Sequence, residues 1–262
     1  MATLNIPVDA FYGVMLIFLR VAAIVFSAPV LDTDTIPAGF KAGLALAVSI
    51  LLLPAVDAVV TVRDLSLMTF FIGVFSEIAI GVTIGLSVKL LFAGIQLAGQ
   101  IVGYQMGFAV ANVVDPATSA QIPILAQFYN LTAMLVFLAI NAHHMFFSAL
   151  VDSYAILPPL SMHISPQLIG MMMRLAANMF VVAVKVGAPL IAVMLMVSVA
   201  LGMVARTVPQ IHIFIVAMPM KILIGLVFLL MISPYLTAYL IDLFSSYQVT
   251  LFDLIRLMAL AG

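Results

Sequence analysis

The chain has 262 residues, 66% of them hydrophobic and only 7% charged, with a net charge of -1. Soluble domains carry about 25% charged residues, so a water-soluble fold of this length would lack the polar surface to cover itself. The composition specifies an all-α membrane protein, solvated by lipid or by other apolar chains. The charge balance leaves no basic footprint for nucleic acid and no acidic tail. The absence of cysteine excludes a disulfide framework, a thiolate metal site and a cysteine nucleophile.

From the N-terminus, MATLNIPVDAFYGVMLIFLR has no basic segment ahead of its apolar run, and Arg20 lies inside that run. This is a poor cleavable leader and a better first membrane segment. Runs of about 20 apolar residues are long enough to cross a bilayer, and six are predicted, at roughly 10–31, 39–56, 67–98, 124–142, 167–203 and 211–241. Breakers mark the connectors: DTDTIP, DAVVTVRD, LPPLSMHISP and ARTVPQ. Two runs exceed a simple span and must tilt, kink or leave the bilayer. Pro189 and Pro234 are the predicted kink sites. Lysine and arginine divide evenly between the two sets of loops (Lys41 and Arg206 against Arg63 and Arg256), so the positive-inside rule sets no orientation. No repeat or low-complexity linker interrupts the chain, and a single domain over 1–262 is the simplest reading.

Six charges fall in apolar segments: Arg20, Glu77, Lys89, Arg174, Lys185 and Lys221. Each costs about 2.5–3.5 kcal/mol near a bilayer centre even on a lenient scale. They must snorkel, leave the membrane, or find partners across helices or subunits, and Glu77 is the strongest candidate for an ion pair. An ion pathway through Glu77 and Lys89 is the competing reading. His143 and His144 are adjacent and lack HExxH spacing, so they read as polar residues at a helix end and not as metal ligands. No phosphate-cradling GxxxxGK[ST] and no GxSxG elbow is present. The chain reads as non-enzymatic, without metal or cofactor.

GQIVGYQMGFAVANVVDPATSAQIP, residues 99–123, is the exception to the apolar pattern. Gly99, Gly103 and Gly107 recur every fourth residue and share one helix face. Gly81 and Gly85, and Gly39 and Gly43, repeat the spacing. Such faces let helix backbones approach closely in lipid. Beyond them, Pro116 biases Asp115 out of the helical region. A loop of this kind is tolerated at membrane depth only inside protein or against an aqueous cavity. Gly107 is a predicted hinge, with Met106 and Phe108 as apolar bulk to obstruct a passage.

Four stretches resemble the FliR-like subunit of the flagellar type III export gate, whose injectisome counterpart is called SctT. They are LRVAAIVFSAPVLDTDTIPAGFKAGLALAVSILLLP, SEIAIGVTIGLSVKLLFAGIQLAGQIVGYQMGFAVANVVDP, LAINAHHMFFSALVDSYAILP and ARTVPQIHIFIVAMPMKILIGL. The QMG…DP and PQ…PxK combination is the specific part, while His212 and Ala217 depart from the family's asparagine and glycine. The resemblance implies a structural subunit of the bacterial inner membrane and flagellar basal body, built of long kinked helices and hairpins in a hetero-oligomeric gate. Partners would be FliP-like and FliQ-like subunits and an FlhB-like switch protein, with unfolded substrates in transit. It further implies a FliP-like part over 1–165 and a FliQ-like long hairpin over 166–262. A plug loop would fall at about 104–122, carried by Tyr104, Gln105, Met106, Gly107, Phe108, Asp115 and Pro116. Export would be driven from outside the chain, by the proton motive force and a separate ATPase. The alternatives are the injectisome homologue and a secondary transporter using Glu77 and Lys89; an intramembrane enzyme is the weakest.

Overall fold

The computed structural model describes residues 8–29, 36–56, 67–108, 124–207 and 213–259. Among these the chain is all-α, with seven helices: α1 (Val8–Ser27), α2 (Ala38–Val56), α3 (Leu67–Met106), α4 (Ile124–Ala139), α5 (Ala142–Ile156), α6 (Pro166–Thr207) and α7 (Ile213–Ala259). Among the described residues the six apolar runs do not all form helices of spanning length. Three helices, α3, α6 and α7, are long and apolar enough to cross a membrane, or four spans if α4 and α5 together form a broken one. Among the described residues the apolar stretches of the first two runs, Tyr12–Ser27 and Ala38–Pro54, are shorter. The third run continues past residue 98, because Gly99 and Gly103 lie within α3 and do not end it.

The fourth run stops early. Asn141 takes a left-handed conformation (φ 56°, ψ 29°), which asparagine tolerates better than most residues, and α5 starts immediately after it. Sequence periodicity did not reveal α5. Its first turn carries His143 and His144, whose rings meet edge-on at 4.3 Å, and His144 N–H donates to Asn141 O at 2.9 Å.

The chain divides into two compact units. The first comprises residues 1–90, 141–175 and 246–262. In it α1 lies against α3 through small residues. A β-carbon at Gly81 would fall 2.6 Å from Ala23 Cβ and 2.7 Å from Arg20 O, and one at Gly85 would collide with Ser27. The connector 157–165 is held at several points. Leu160, itself at φ 70°, covers Gly73, where a β-carbon would meet Leu160 Cδ2 at 2.9 Å. His163 N–H donates to Met258 O at 3.1 Å. Ser165 then caps α6, its Oγ accepting from Leu168 N–H at 3.2 Å, with Pro166 at the first helical position, where its missing N–H costs nothing.

The second unit comprises residues 91–140 and 176–245. Here α3 meets α4 at Gly99, where a β-carbon would fall 2.7 Å from both Ala126 Cα and Leu125 O. It meets α6 at Gly94, where the distance to Met179 O would be 2.7 Å. Phe92, Phe137 and Phe244 form an aromatic cluster with centroid separations of 5.2–5.6 Å, which joins α3, α4 and α7 within this unit. Gly103 is less tightly covered, with Leu125 Cβ at 3.6 Å from a β-carbon built there. Among the described residues nothing lies within 4 Å of a β-carbon built at Gly39 or Gly43, so that glycine pair makes no close contact with a described helix.

Candidate functional site

Two constellations carry the residues singled out in the sequence. The first lies in the first unit. Arg20 Nε–H donates to Glu77 Oε2 at 2.5 Å and Nη2–H to Glu77 Oε1 at 3.0 Å, a two-point contact between side chains with no exposed surface. The same guanidinium donates to Ser153 Oγ at 3.1 Å and to Leu157 O at 3.1 Å. It also lies over the ring of Tyr154, 4.1 Å from the centroid, and Tyr154 Oη donates to Ile17 O at 3.3 Å. Four of the five guanidinium N–H donors are thus used, and the positive face rests on a π-system.

Helix spacing explains this meeting. Glu77, Gly81 and Gly85 recur every fourth residue on one face of α3, while Arg20, Ala23, Ile24 and Ser27 share a face of α1. The two glycines bring the backbones close enough for the carboxylate to reach the guanidinium. The sequence left Arg20 and Glu77 to find partners across helices or across subunits. In the structure they pair with each other inside one chain, because α1 packs closely against α3 at Gly81 and Gly85. Ser153, Tyr154 and Leu157 went unnoticed in the sequence, and only the polar interruption DSY hinted at them.

Of the remaining charges, Lys89, Arg174 and Lys185 are exposed in the chain and Lys221 is half-buried. Among the described residues Arg174 reaches no carboxylate, and it donates weakly to Met171 Sδ at 3.9 Å. Lys41 is buried near the ring of Phe26, 5.9 Å from its centroid. Among the described residues no group of three or more histidine, aspartate or glutamate side chains is arranged to hold a metal.

The second constellation is the end of α3. Gly107 has φ +93°, a conformation that glycine adopts without penalty. Phe108 N–H donates to Gly103 O at 3.1 Å and Gly107 N–H to Tyr104 O at 3.2 Å. These two bonds are the pair that defines a Schellman motif, with Gly107 as the left-handed residue. QMG is therefore a helix stop. Tyr104 is exposed, while Gln105 and Phe108 are partly buried. Gln105 Oε1 is enclosed and has no hydrogen-bond partner among the described residues.

Met106 behaves differently from its neighbours. Its side chain is fully buried and occupies a notch on α7 where Gly225 has no side chain. A β-carbon at 225 would fall 2.8 Å from Met106 Cγ and 2.8 Å from Sδ. Met106 is thus held within the chain and does not offer free apolar bulk at the tip of a loop. Gly225 escaped the sequence reading, although it follows Lys221 of the PxK pattern by one helical turn. Asp115 and Pro116 lie outside the described residues.

Comparison with known proteins agrees with the motifs. The family model described as "Bacterial export proteins, family 1" matches residues 11–247. The chain is 30% identical to the flagellar biosynthetic protein FliR of Bacillus subtilis (strain 168), over 99% of each chain. It is also 30% identical to FliR of Escherichia coli (strain K12), over 90% of each. With FliR of Pectobacterium carotovorum the identity is 32%, over 91% of this chain and 89% of the relative. A family match across nearly the whole chain, joined to an all-α fold with at least three membrane-capable helices, shows that this chain belongs to family 1 of the bacterial export proteins, the FliR/SctT family.

Proposed function

We propose that the protein is a structural, non-enzymatic subunit of the flagellar type III export gate in the bacterial inner membrane, at the flagellar basal body. It forms part of a closed protein-conducting pore with FliP-like, FliQ-like and FlhB-like partners. Its 104–122 segment blocks the lumen at rest and moves aside for unfolded flagellar substrates. In this reading residues 1–165 act as the FliP-like part and 166–262 as the FliQ-like hairpin.

The observation that carries this reading is the extent of uncovered apolar surface. Exposed large apolar side chains run from Ile169 to Met203 on α6 and from Val216 to Val249 on α7, about 50 Å on each helix at 1.5 Å per residue. A hydrocarbon layer about 30 Å thick covers at most about 40 Å of a steeply tilted helix. Only 11% of the most apolar stretch of α7 is buried within the chain. The apolar length beyond that limit, about 10 Å on each helix, calls for cover from other proteins, as expected of a gate subunit. Relatives named as flagellar biosynthetic proteins favour the flagellar form over the injectisome form. The transporter reading loses its acid, because both Glu77 oxygens are engaged by Arg20.

Two measurements test the proposal. Affinity purification of the tagged chain in detergent from flagellated cells brings down FliP-like and FliQ-like chains if it is right, and recovery of the chain without them overturns it. Deleting residues 108–120 leaves the complex assembled and raises ion leak across the membrane. An assembled deletion complex with unchanged leak removes the plug.

A further inference from the structure

We infer that the face of α5 carrying His144, Ser148 and Asp152 borders the water-filled passage of the gate and meets the polypeptides that cross it. This deepens the proposed function and rests on its reading of the chain as part of a conduit.

The two sides of α5 differ in kind. On one side Phe146, Ala149, Leu150, Ser153 and Tyr154 are buried, and Arg20 fixes that side through Ser153 Oγ, Leu157 O and the Tyr154 ring. The ion-pair cluster therefore sets which way the helix faces. His144, Ser148 and Asp152 recur every fourth residue on the side turned away from the cluster. His144 and Ser148 are exposed, Asp152 is half-buried, and Ala155 continues the line without apolar bulk. Ser148 Oγ donates to Asp152 Oδ2 at 3.2 Å, and among the described residues no cation pairs with this carboxylate.

Lipid suits such a face worst, since a carboxylate is among the costliest groups to leave in hydrocarbon. The membrane surface suits it little better. Helices lying there carry lysine and arginine on their polar side to meet anionic headgroups, and α5 has neither. Bulk water is argued against by depth. α4 and α5 together are long and apolar enough to form a broken span, and α4 exposes Phe128, Leu131, Leu135 and Leu138. Polar groups at membrane depth turn towards a protein interior or a water-filled cavity. The interior side of α5 is already taken by the Arg20 cluster, which leaves the cavity.

The chain has no cysteine, so one introduced thiol reports on one position. Ser148→Cys and Ala155→Cys are compared with Leu135→Cys in membrane fragments that hold the assembled gate and are open on both faces. The readout is the rate at which a charged, membrane-impermeant maleimide adds to this chain. Both α5 positions should label roughly tenfold or more faster than Leu135→Cys, because the reagent needs a thiolate, which forms in water and not in hydrocarbon. Ala155→Cys carries the test alone if Ser148→Cys does not assemble. An export substrate stalled in the passage by a folded domain fused to its end should then slow labelling at both α5 positions several-fold. Labelling as slow as at Leu135→Cys means that lipid or a neighbouring helix seals the face, and overturns the inference. Fast labelling that the stalled substrate leaves unchanged puts the face on bulk water and overturns its place in the passage. If the chain is recovered without FliP-like and FliQ-like partners, the gate reading falls and the passage with it, while labelling still decides whether the face meets water.

Discussion

Arg20 and Glu77 are separated by 57 positions and meet at 2.5 Å with no exposed side-chain surface on either partner. The pair ties α1 to α3, and its bond to Leu157 O extends the tie to the chain leaving α5. Removing one partner leaves an uncompensated buried ion, which costs about 3–5 kcal/mol, whereas replacing both by apolar residues of similar size is often neutral. Arg20→Met and Glu77→Leu should each sharply lower the midpoint of thermal unfolding in detergent, and the double variant should recover most of the loss. A double variant no better than the singles would show that the contacts to Ser153, Leu157 and Tyr154, more than the ion pair, hold this unit together.

Glycine substitutions should divide by what a β-carbon meets. Gly99→Ala places a methyl group against the backbone of Ala126 and Leu125, and Gly81→Ala places one against Arg20 O. Neither obstacle can turn aside as a side-chain tip would, so each substitution costs about 1–3 kcal/mol as overpacking. Gly39→Ala and Gly43→Ala meet nothing within 4 Å and should stabilise the isolated chain by about 0.4–1 kcal/mol. Unfolding of the purified chain in detergent measures both classes. Equal losses at all four positions would contradict the packing described.

Gly107 provides a purely backbone test. With φ at +93°, Gly107→Ala strains the left-handed position by about 1–2 kcal/mol. The expected readout is faster exchange of the Phe108 amide with α3 helical as far as Gly103. Retained protection at Phe108 would mean that the Schellman bonds do not depend on glycine.

Ser165 caps the 42-residue α6 through the Leu168 amide. Ser165→Ala should cost about 0.5–2 kcal/mol, Ser165→Asp should lose little, and the same thermal unfolding assay distinguishes them. An alanine variant as stable as the parent would place the start of α6 under the control of Pro166 and of the His163–Met258 bond instead.

Much of this was written in one dimension. Seven per cent charge and long apolar runs impose helices in an apolar environment, since only helices and closed barrels satisfy the backbone there and these runs exceed the length of a barrel strand. Four-residue glycine spacing marks close approach, and the QMG, DP and PxK motifs mark the family. Local spacing identifies a face but not what lies opposite it. It could show that Glu77 needed a cation, yet Arg20 was chosen by the way α1 folds onto α3. It could mark Met106 as unusual, yet the notch that receives it is made by Gly225, 119 positions later in the chain. The same spacing that packs Gly81 tightly leaves Gly43 bare. Composition and periodicity therefore determined the solvent and the helices of this protein, and its motifs determined the kinship. Tertiary structure alone decided which faces meet, because packing energy depends on contacts between residues far apart in the chain.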